Sequence, residues 1–314
     1  MVIILLPSLP NILITEFPRL DIFAPHSRQC GLELHMGRLQ DSLNLPPSEQ
    51  RHPVLMNAIY LWACFISRPE PLSQHEEHYL QHALDALPEA LRSNDRVVDV
   101  IQASCLLSQY FLANGRLLEG SYHVSAAASL SVQTGLGRRP SLNTQAWSCD
   151  SMDSDTKPAL SDILDGERNL AFWQVYNLDR CWSVVLRKPS VIPDKPGTRH
   201  SVSSPWPQEI KDYEKVCFSL GGGYCSLLTN ILIQGRIDAH SSSPTIRSFL
   251  SGSVSANSFS VPAIRAKASA LFAHADYLAS SWSSSTFHIL QNAISNSHNR
   301  WKAAAKASGG NANP

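Results

Sequence analysis

Residues 167–188 run without a single Gly or Pro, and no other stretch limits so strongly what this chain can fold into. A helix of about 20 residues, roughly 30 Å long, fits there. Leu170, Val175, Leu178, Cys181, Trp182, Val185 and Leu186 fall on one broad face at about 100° per residue. Phe172, Trp173 and Tyr176 lie outside that face. A helix apolar on more than one side is normally surrounded by protein. Asp165 reads as its N-cap, with Glu167 suited to the positive helix end. Pro189 pushes Lys188 out of the α region and closes the helix. Asp179 and Arg180 are charges inside this mostly apolar segment. They read as a structural ion pair or as a hydrogen-bond anchor to neighbouring helices. A catalytic carboxylate needs a second titratable partner of defined role, and nothing nearby in the sequence supplies one.

The segments on either side are helical too. A short helix near Leu32–Met36 precedes a turn at Pro46-Pro47. His52-Pro53 opens a helix to about Ser67, with Leu55, Ile59, Trp62, Ala63 and Ile66 at helical spacing. A second covers Ser73 to Leu91, where Pro88 predicts a kink or break. Two more, Arg96–Ala113 and Leu117–Thr134, are joined by Asn114-Gly115-Arg116 and so predict an antiparallel αα-hairpin. The run Ala126-Ala127-Ala128 permits close helix approach. Residues 138–164 are rich in Ser, Asp, Thr and Pro and read as a mobile loop. Residues 208–238 read as helical with a break at Gly221-Gly222-Gly223, residues 241–259 as flexible, and Ala263–Ser280 as a further amphipathic helix. Residues 283–314 show no period and read as a disordered tail, and residues 1–20 remain unassigned.

Charge and cysteine usage exclude several function classes. The 26 basic and 26 acidic residues balance, and the tightest basic pair is Arg138-Arg139. A dedicated nucleic-acid binder carries a basic excess or stripe, so direct DNA binding by this chain is not expected. The seven cysteines include no Cys-x-x-Cys, which removes the usual zinc spacings and fits a reducing compartment. The apolar start Met1–Leu6 has no basic residue before it and is interrupted at Pro7, so neither a secretory signal nor a membrane span is expected.

Motifs that would carry chemistry are incomplete. His78 and His82 have the spacing of a zinc-protease pair, but Tyr79 stands where the Glu is required, so a solvated helix face is favoured. Asp150, Asp153 and Asp155 lack the Gly and closing Glu of a calcium loop. Gly135-Leu136-Gly137 lacks a third Gly and follows a helix rather than a strand, and Gly221–Gly223 lacks the Lys-Ser or Lys-Thr of a phosphate loop. The abundant Trp and Tyr are best read as core; a cavity between helices would be the place for a ligand.

Taken together, Glu167-Arg168, Phe172-Trp173, Leu178-Asp179-Arg180 and Pro189-Ser190-Val191-Ile192 resemble the regulatory middle homology domain of fungal zinc-cluster transcription factors. His52-Pro53, the run Val98–Ala103, Tyr110 with Gly115, and Ala126–Ala128 with Gly135-Leu136-Gly137 follow that family's order. Arg116, Glu119-Gly120, Tyr122-His123 and Cys181-Trp182 look most like its mushroom-type branch. Arg187-Lys188-Pro189 stands where Gly-Arg-Pro is usual, which predicts a slightly different helix exit. The resemblance spans about residues 21–282. It implies an all-α fold of antiparallel helical pairs around a central buried helix, with Glu167, Arg168, Trp173, Leu178, Asp179, Arg180 and Pro189 as structural signature residues. It also implies a nuclear regulator of RNA polymerase II transcription. The implied partners are the transcription machinery or co-regulators, a small-molecule effector, or a second copy. Family members bind zinc through an N-terminal cysteine cluster that this sequence does not contain, so no cofactor is expected and DNA would be reached through a partner. A helical interaction scaffold or truncated paralogue without a DNA role is the alternative, and a helical enzyme a more distant one.

Overall fold

The computed structural model describes residues 20–69, 72–93, 96–137, 157–193, 202–213, 245–252 and 259–281. Among these every regular element is helical and none is a strand. The chain divides into two compact units, Met1–Ala270 and Leu271–Pro314.

The first unit is built from α1 (Met36–Ser42), α2 (Pro53–Ile66), α3 (Glu76–Ser93), α4 (Val97–Ala113), α5 (Leu117–Gln133), α6 (Lys157–Val185), α7 (Thr245–Leu250) and the first half of α8 (Val261–Ser280). In the second unit, the end of α8 carries a stacked pair, His274 on Tyr277, with ring centres 6.3 Å apart.

Local chemistry explains the boundaries. Two histidines act as N-caps: His35 Nδ1 accepts from the Arg38 amide at 3.0 Å, and His52 Nδ1 from the Val54 amide at 3.2 Å. In each case the cap satisfies one of the amides that a helix start leaves without an acceptor. Pro53, with no amide to lose, follows His52 at the first helical position. At the other ends, α4 and α5 close in the same way. Arg116 N–H reaches Phe111 O at 2.8 Å around Gly115 (φ 74°), and Leu136 N–H reaches Ser131 O at 2.9 Å around Gly135 (φ 67°). These are Schellman ends, and glycine suits the left-handed position they require.

The helices pair as the connections dictate, α2 with α3 and α4 with α5. Ser108 Oγ donates to Gly120 O at 2.8 Å, and a Cβ on Gly120 would collide with the Leu112 side chain, so these two backbones approach closely. Ala127 and Ala128 are fully buried beside them. Thirteen of the seventeen residues of α4 are buried. One apolar cluster joins residues 20–39 to α2, α3 and one side of α4. A second joins Ile101 and Cys105 of α4 to α5, to Ala171–Trp173, Val175 and Tyr176 of α6, and to Ile246, Ala266 and Ala270. The buried centre is therefore α4 together with the middle of α6.

Several expectations change. The long helix starts at Lys157, not near Glu167, so the segment expected as a loop over 138–164 is helical in its last part. Asp165 lies inside the helix rather than at its cap. Gly166 is tolerated there because a Cβ would stand 2.5 Å from the Tyr213 ring, which packs against the bare backbone. Pro158 falls in the first turn, where a missing amide costs nothing. The broad apolar face is buried only in part: Leu170 and Val175 are inside, but Val185 is 57% exposed. Helix α3 continues through Pro88, which is exposed, so water can take the carbonyl that loses its donor. The short helix expected near residues 32–36 forms instead at Met36–Ser42, with an extended run before it. Within 241–259, Thr245–Leu250 is a helix, pinned by Thr245 Oγ1 donating to Ser204 O at 2.7 Å and by fully buried Ile246. Of residues 208–238, only 208–213 fall within a described stretch, with helix at 210–213. Gly221–Gly223, residues 1–19 and residues 283–314 lie outside the described residues.

Candidate functional site

Helix α6 is held by two sets of charged contacts, one near its middle and one at its exit. In the first, Arg51, just before α2, donates to Asp99 Oδ1 of α4 at 3.0 Å and to Glu167 Oε2 of α6. Asp99 Oδ2 also accepts the His52 amide at 2.8 Å, and Glu167 Oε1 the His35 amide at 3.4 Å. Both carboxylates are 2% exposed. Burial works against the Arg51 charge, but the attraction of Glu167 and Asp99 more than offsets it and holds the guanidinium above its ordinary range. One cation and two backbone amides thus compensate two buried anions and tie the segment before α2, α4 and α6 to one point. Glu167 is a partner of Arg51 and not a charge at a helix start, as the sequence had suggested. Arg51 went unrecognised in the sequence: its partners lie 48 and 116 residues away, and only the isolated acid Asp99 in an apolar run hinted at a buried pair.

At the exit, Asp179 accepts the Val191 amide at 2.9 Å, the Ile192 amide at 3.0 Å and the Ser190 hydroxyl. Arg180 donates to Ile192 O at 2.9 Å and lies over the Tyr176 ring, 5.0 Å from its centre. The two charges are a hydrogen-bond anchor, but to the extended exit of their own helix and not to neighbouring helices. Helix α6 closes with Lys188 N–H to Ser183 O at 2.9 Å and Arg187 N–H to Val184 O at 3.3 Å. Arg187 has φ 54°. It therefore takes the left-handed position that glycine holds at the ends of α4 and α5. The exit is a Schellman end despite the missing glycine.

The other signature positions differ in what they touch. Trp173 is 1% exposed; its Nε1 donates to Pro205 O at 2.9 Å and its ring stacks on Trp206, centres 4.9 Å apart. Leu178 is half-buried against the second cluster. Arg168 and Pro189 are exposed. The structure joins Asp179 and Arg180 at one place and puts Glu167 and Trp173 on other contacts of the same helix.

Two of the sequence candidates for metal and nucleotide chemistry, His78 with His82 and Gly135-Leu136-Gly137, fall within the described residues. His78 and His82 lie with ring centres 4.0 Å apart, and among the described residues no three His, Cys, Asp or Glu side chains form a metal-sized group. Gly135-Leu136-Gly137 is the turn that closes α5. Asp150, Asp153 and Asp155 lie outside the described residues. Among the described residues no helix is long and apolar enough to cross a membrane.

One cleft of about 470 Å³ opens beneath the 3-10 turn Ala24–His26. Ala24, Leu32, Leu34, Met36 and Ile210 line it, with Glu33 among them. Glu33 is 7% exposed. Its Oε2 is 3.7 Å from Arg28 Nε and its Oε1 3.8 Å from an Arg265 nitrogen. Both distances exceed hydrogen-bond reach, and Oε1 is buried without a hydrogen bond. Arg28 is itself drawn off to Glu209 Oε2 at 2.7 Å. Burial raises the Glu33 carboxyl above its ordinary range, and nearby Glu209 adds to this, against the pull of Arg28 and Arg265.

The family model described as "Fungal specific transcription factor domain" matches residues 20–215. No curated protein matches the chain, and no solved structure does. The matched stretch contains Arg51, Asp99, Glu167 and the Asp179–Arg180 anchor, and it covers more than half of the chain. The chain therefore belongs to the fungal specific transcription factor domain family.

Proposed function

We propose that this chain is the regulatory domain of a fungal RNA polymerase II transcription factor and that partners or a small ligand set its activity. The observation that supports this reading is the family match over residues 20–215. That family consists of transcription-factor domains rather than enzymes, and a nuclear location follows from the role. The balanced charge of the chain gives no electrostatic footprint for DNA, so recognition of DNA is assigned to a partner. The test is a tethering experiment: the full chain is fused to a heterologous DNA-binding domain upstream of a reporter gene. A changed reporter output, with nuclear accumulation of a tagged chain, is expected. Unchanged output, with the fusion expressed and nuclear, would sink the reading.

A scaffold for protein interactions without a DNA role is the second reading. It is favoured by the apolar surface at the start of α5, where Leu118 is 82% and Tyr122 66% exposed. Capture of a partner by an untethered chain that leaves the reporter unchanged would point to it.

A further inference from the structure

We propose that Lys267 is a site of Nε-methylation, and that Trp206, Phe249 and Phe259 form a cage that holds its methylated ammonium. This assignment goes beyond the regulatory reading above and does not depend on it.

Three aromatic faces converge on one ammonium. Lys267 Nζ, on α8, lies over the rings of Phe259, Trp206 and Phe249, at 5.1, 5.3 and 5.6 Å from their centres. Each is within cation–π reach, about 6 Å. The rings come from three places: Trp206 from the stretch 202–213, Phe249 from α7 and Phe259 from just before α8. Their positions are fixed by other contacts. Trp206 stacks on buried Trp173, and Phe249 meets Trp206 edge to face with centres 5.6 Å apart. Ser260 Oγ donates to Pro207 O and the Val261 amide to Glu209 Oε1 at 3.3 Å, which ties the start of α8 to the Trp206 stretch.

The spacing suits a nitrogen that carries methyl groups. An N–C bond is about 1.46 Å, and carbon atoms in contact stand about 3.5–4.0 Å apart. A methylated nitrogen therefore sits roughly 5.0–5.5 Å from a ring that its methyl touches, close to the three observed distances. A bare ammonium touching a ring would stand about 1.5 Å nearer. Methyl groups also spread the charge and weaken the strong hydration of a lysine head, so a methylated head leaves water for aromatic faces more readily.

The covalent step needs a methylsulfonium donor as co-reactant. Lys267 first gives a proton to solvent. Its nitrogen lone pair then forms an N–C bond to the donor methyl, the S–C bond breaks with its electron pair left on sulfur, and a neutral thioether departs. The positive charge passes from sulfur to nitrogen. Desolvation already lowers the Lys267 ammonium below its ordinary range, which favours the neutral amine. Phe259 is 66% exposed, so the cage opens to solvent on that side.

Two measurements test the site and the cage separately. The full chain, tagged and produced in a fungal host, is digested, and the peptide that holds Lys267 is read by high-resolution mass spectrometry. Mono-, di- or trimethylation at Lys267 is expected. An unmodified Lys267, or an acetylated one, which exact mass distinguishes from the trimethylated form, would overturn the modification. For the cage, unmodified chain from a bacterial host is reductively dimethylated with carbon-13-labelled formaldehyde, and its N-methyl signals are recorded by NMR. Ring currents from three faces should move the Lys267 signal upfield of the other lysine signals. It should vanish in Lys267→Arg, which assigns it, and move back towards the others in Phe259→Ala, which removes an exposed ring. Circular dichroism melting checks that both variants fold. A Lys267 signal in the unaltered chain at the position of the other lysines would overturn the cage.

Discussion

Replacing Asp179 by Ala should unfasten the exit of α6. The carboxylate is 3% exposed and accepts two backbone amides, at 2.9 and 3.0 Å, and the Ser190 hydroxyl. Val191 is 36% exposed, so its amide returns to water at little cost. Ile192 is 2% exposed, and its amide has nowhere to turn. One buried bond to a charged acceptor is worth about 1.5–3 kcal/mol, and the remaining two add about 1 kcal/mol between them after solvent competes. The desolvation that the carboxylate no longer suffers offsets part of this. A net loss of about 3 kcal/mol is expected, or roughly 6–12 °C in Tm for a domain of this size. Asp179→Asn should cost less, because one acceptor oxygen survives, though its amide group then faces a backbone N–H. The control is Arg168→Ala, at an exposed signature position of the same helix, which should stay within about 0.5 kcal/mol. Urea titration followed by circular dichroism, with the slopes compared between variants, measures all three. A loss under about 1 kcal/mol for Asp179→Ala, or an equal loss for Arg168→Ala, would refute the claim that this carboxylate organises the exit.

Arg187→Gly should stabilise the chain. A left-handed L-residue costs roughly 1–2 kcal/mol, and glycine returns roughly 0.5–1 kcal/mol of that through the unfolded state, so a gain of about 0.5–1 kcal/mol should appear as a raised urea midpoint. Arg51→Met should cost about 3–5 kcal/mol, because Asp99 and Glu167 would stay buried as unpaired anions. The same titration reads the effect, and a loss near zero would show that the pair is not needed. His123 supplies a pH dependence. It is 4% exposed and stacked on Phe111, and burial lowers its pKa from 6.5 to about 4, with Glu119 opposing. The depressed value means that its contribution is complete above pH 6.5 and is lost as pH falls toward 4, since only the unfolded chain takes up the proton in that window. The full difference is of order 3 kcal/mol. His123→Leu should flatten the stability profile between those limits, and an unchanged slope would refute the assignment.

Some of this was legible in the residues because it depends on neighbours in sequence. His52-Pro53 as a helix start, and Gly115 and Gly135 as helix ends, are effects of one turn of chain, and they stand where the sequence put them. The apolar spacing in α2, α4 and α5 likewise yields helices whose bounds agree with the sequence to within a residue or so. The early start of α6 was hidden by Gly166, which reads as a break until Tyr213 is seen packed against it from 47 residues away. Thr245–Leu250 was hidden in a Ser-rich stretch for the same reason, because its hold on Ser204 O and its buried Ile246 are both long-range.

The sequence by itself determined the all-α class and the pairing of helices joined by short turns. It also marked Asp179 and Arg180 as an anchor. All of these follow from periodicity, caps and isolated charges, which are local. Only the tertiary structure decided that Arg51 joins Asp99 and Glu167, that the Asp179 anchor grips its own helix exit, and that Glu33 stands on the wall of a cleft. The Arg51 contacts and the cleft bring together groups far apart in the chain, and the Asp179 anchor depends on how the exit folds back over 11 to 13 residues, so a pattern within one helical turn holds no record of which buried charge will meet which.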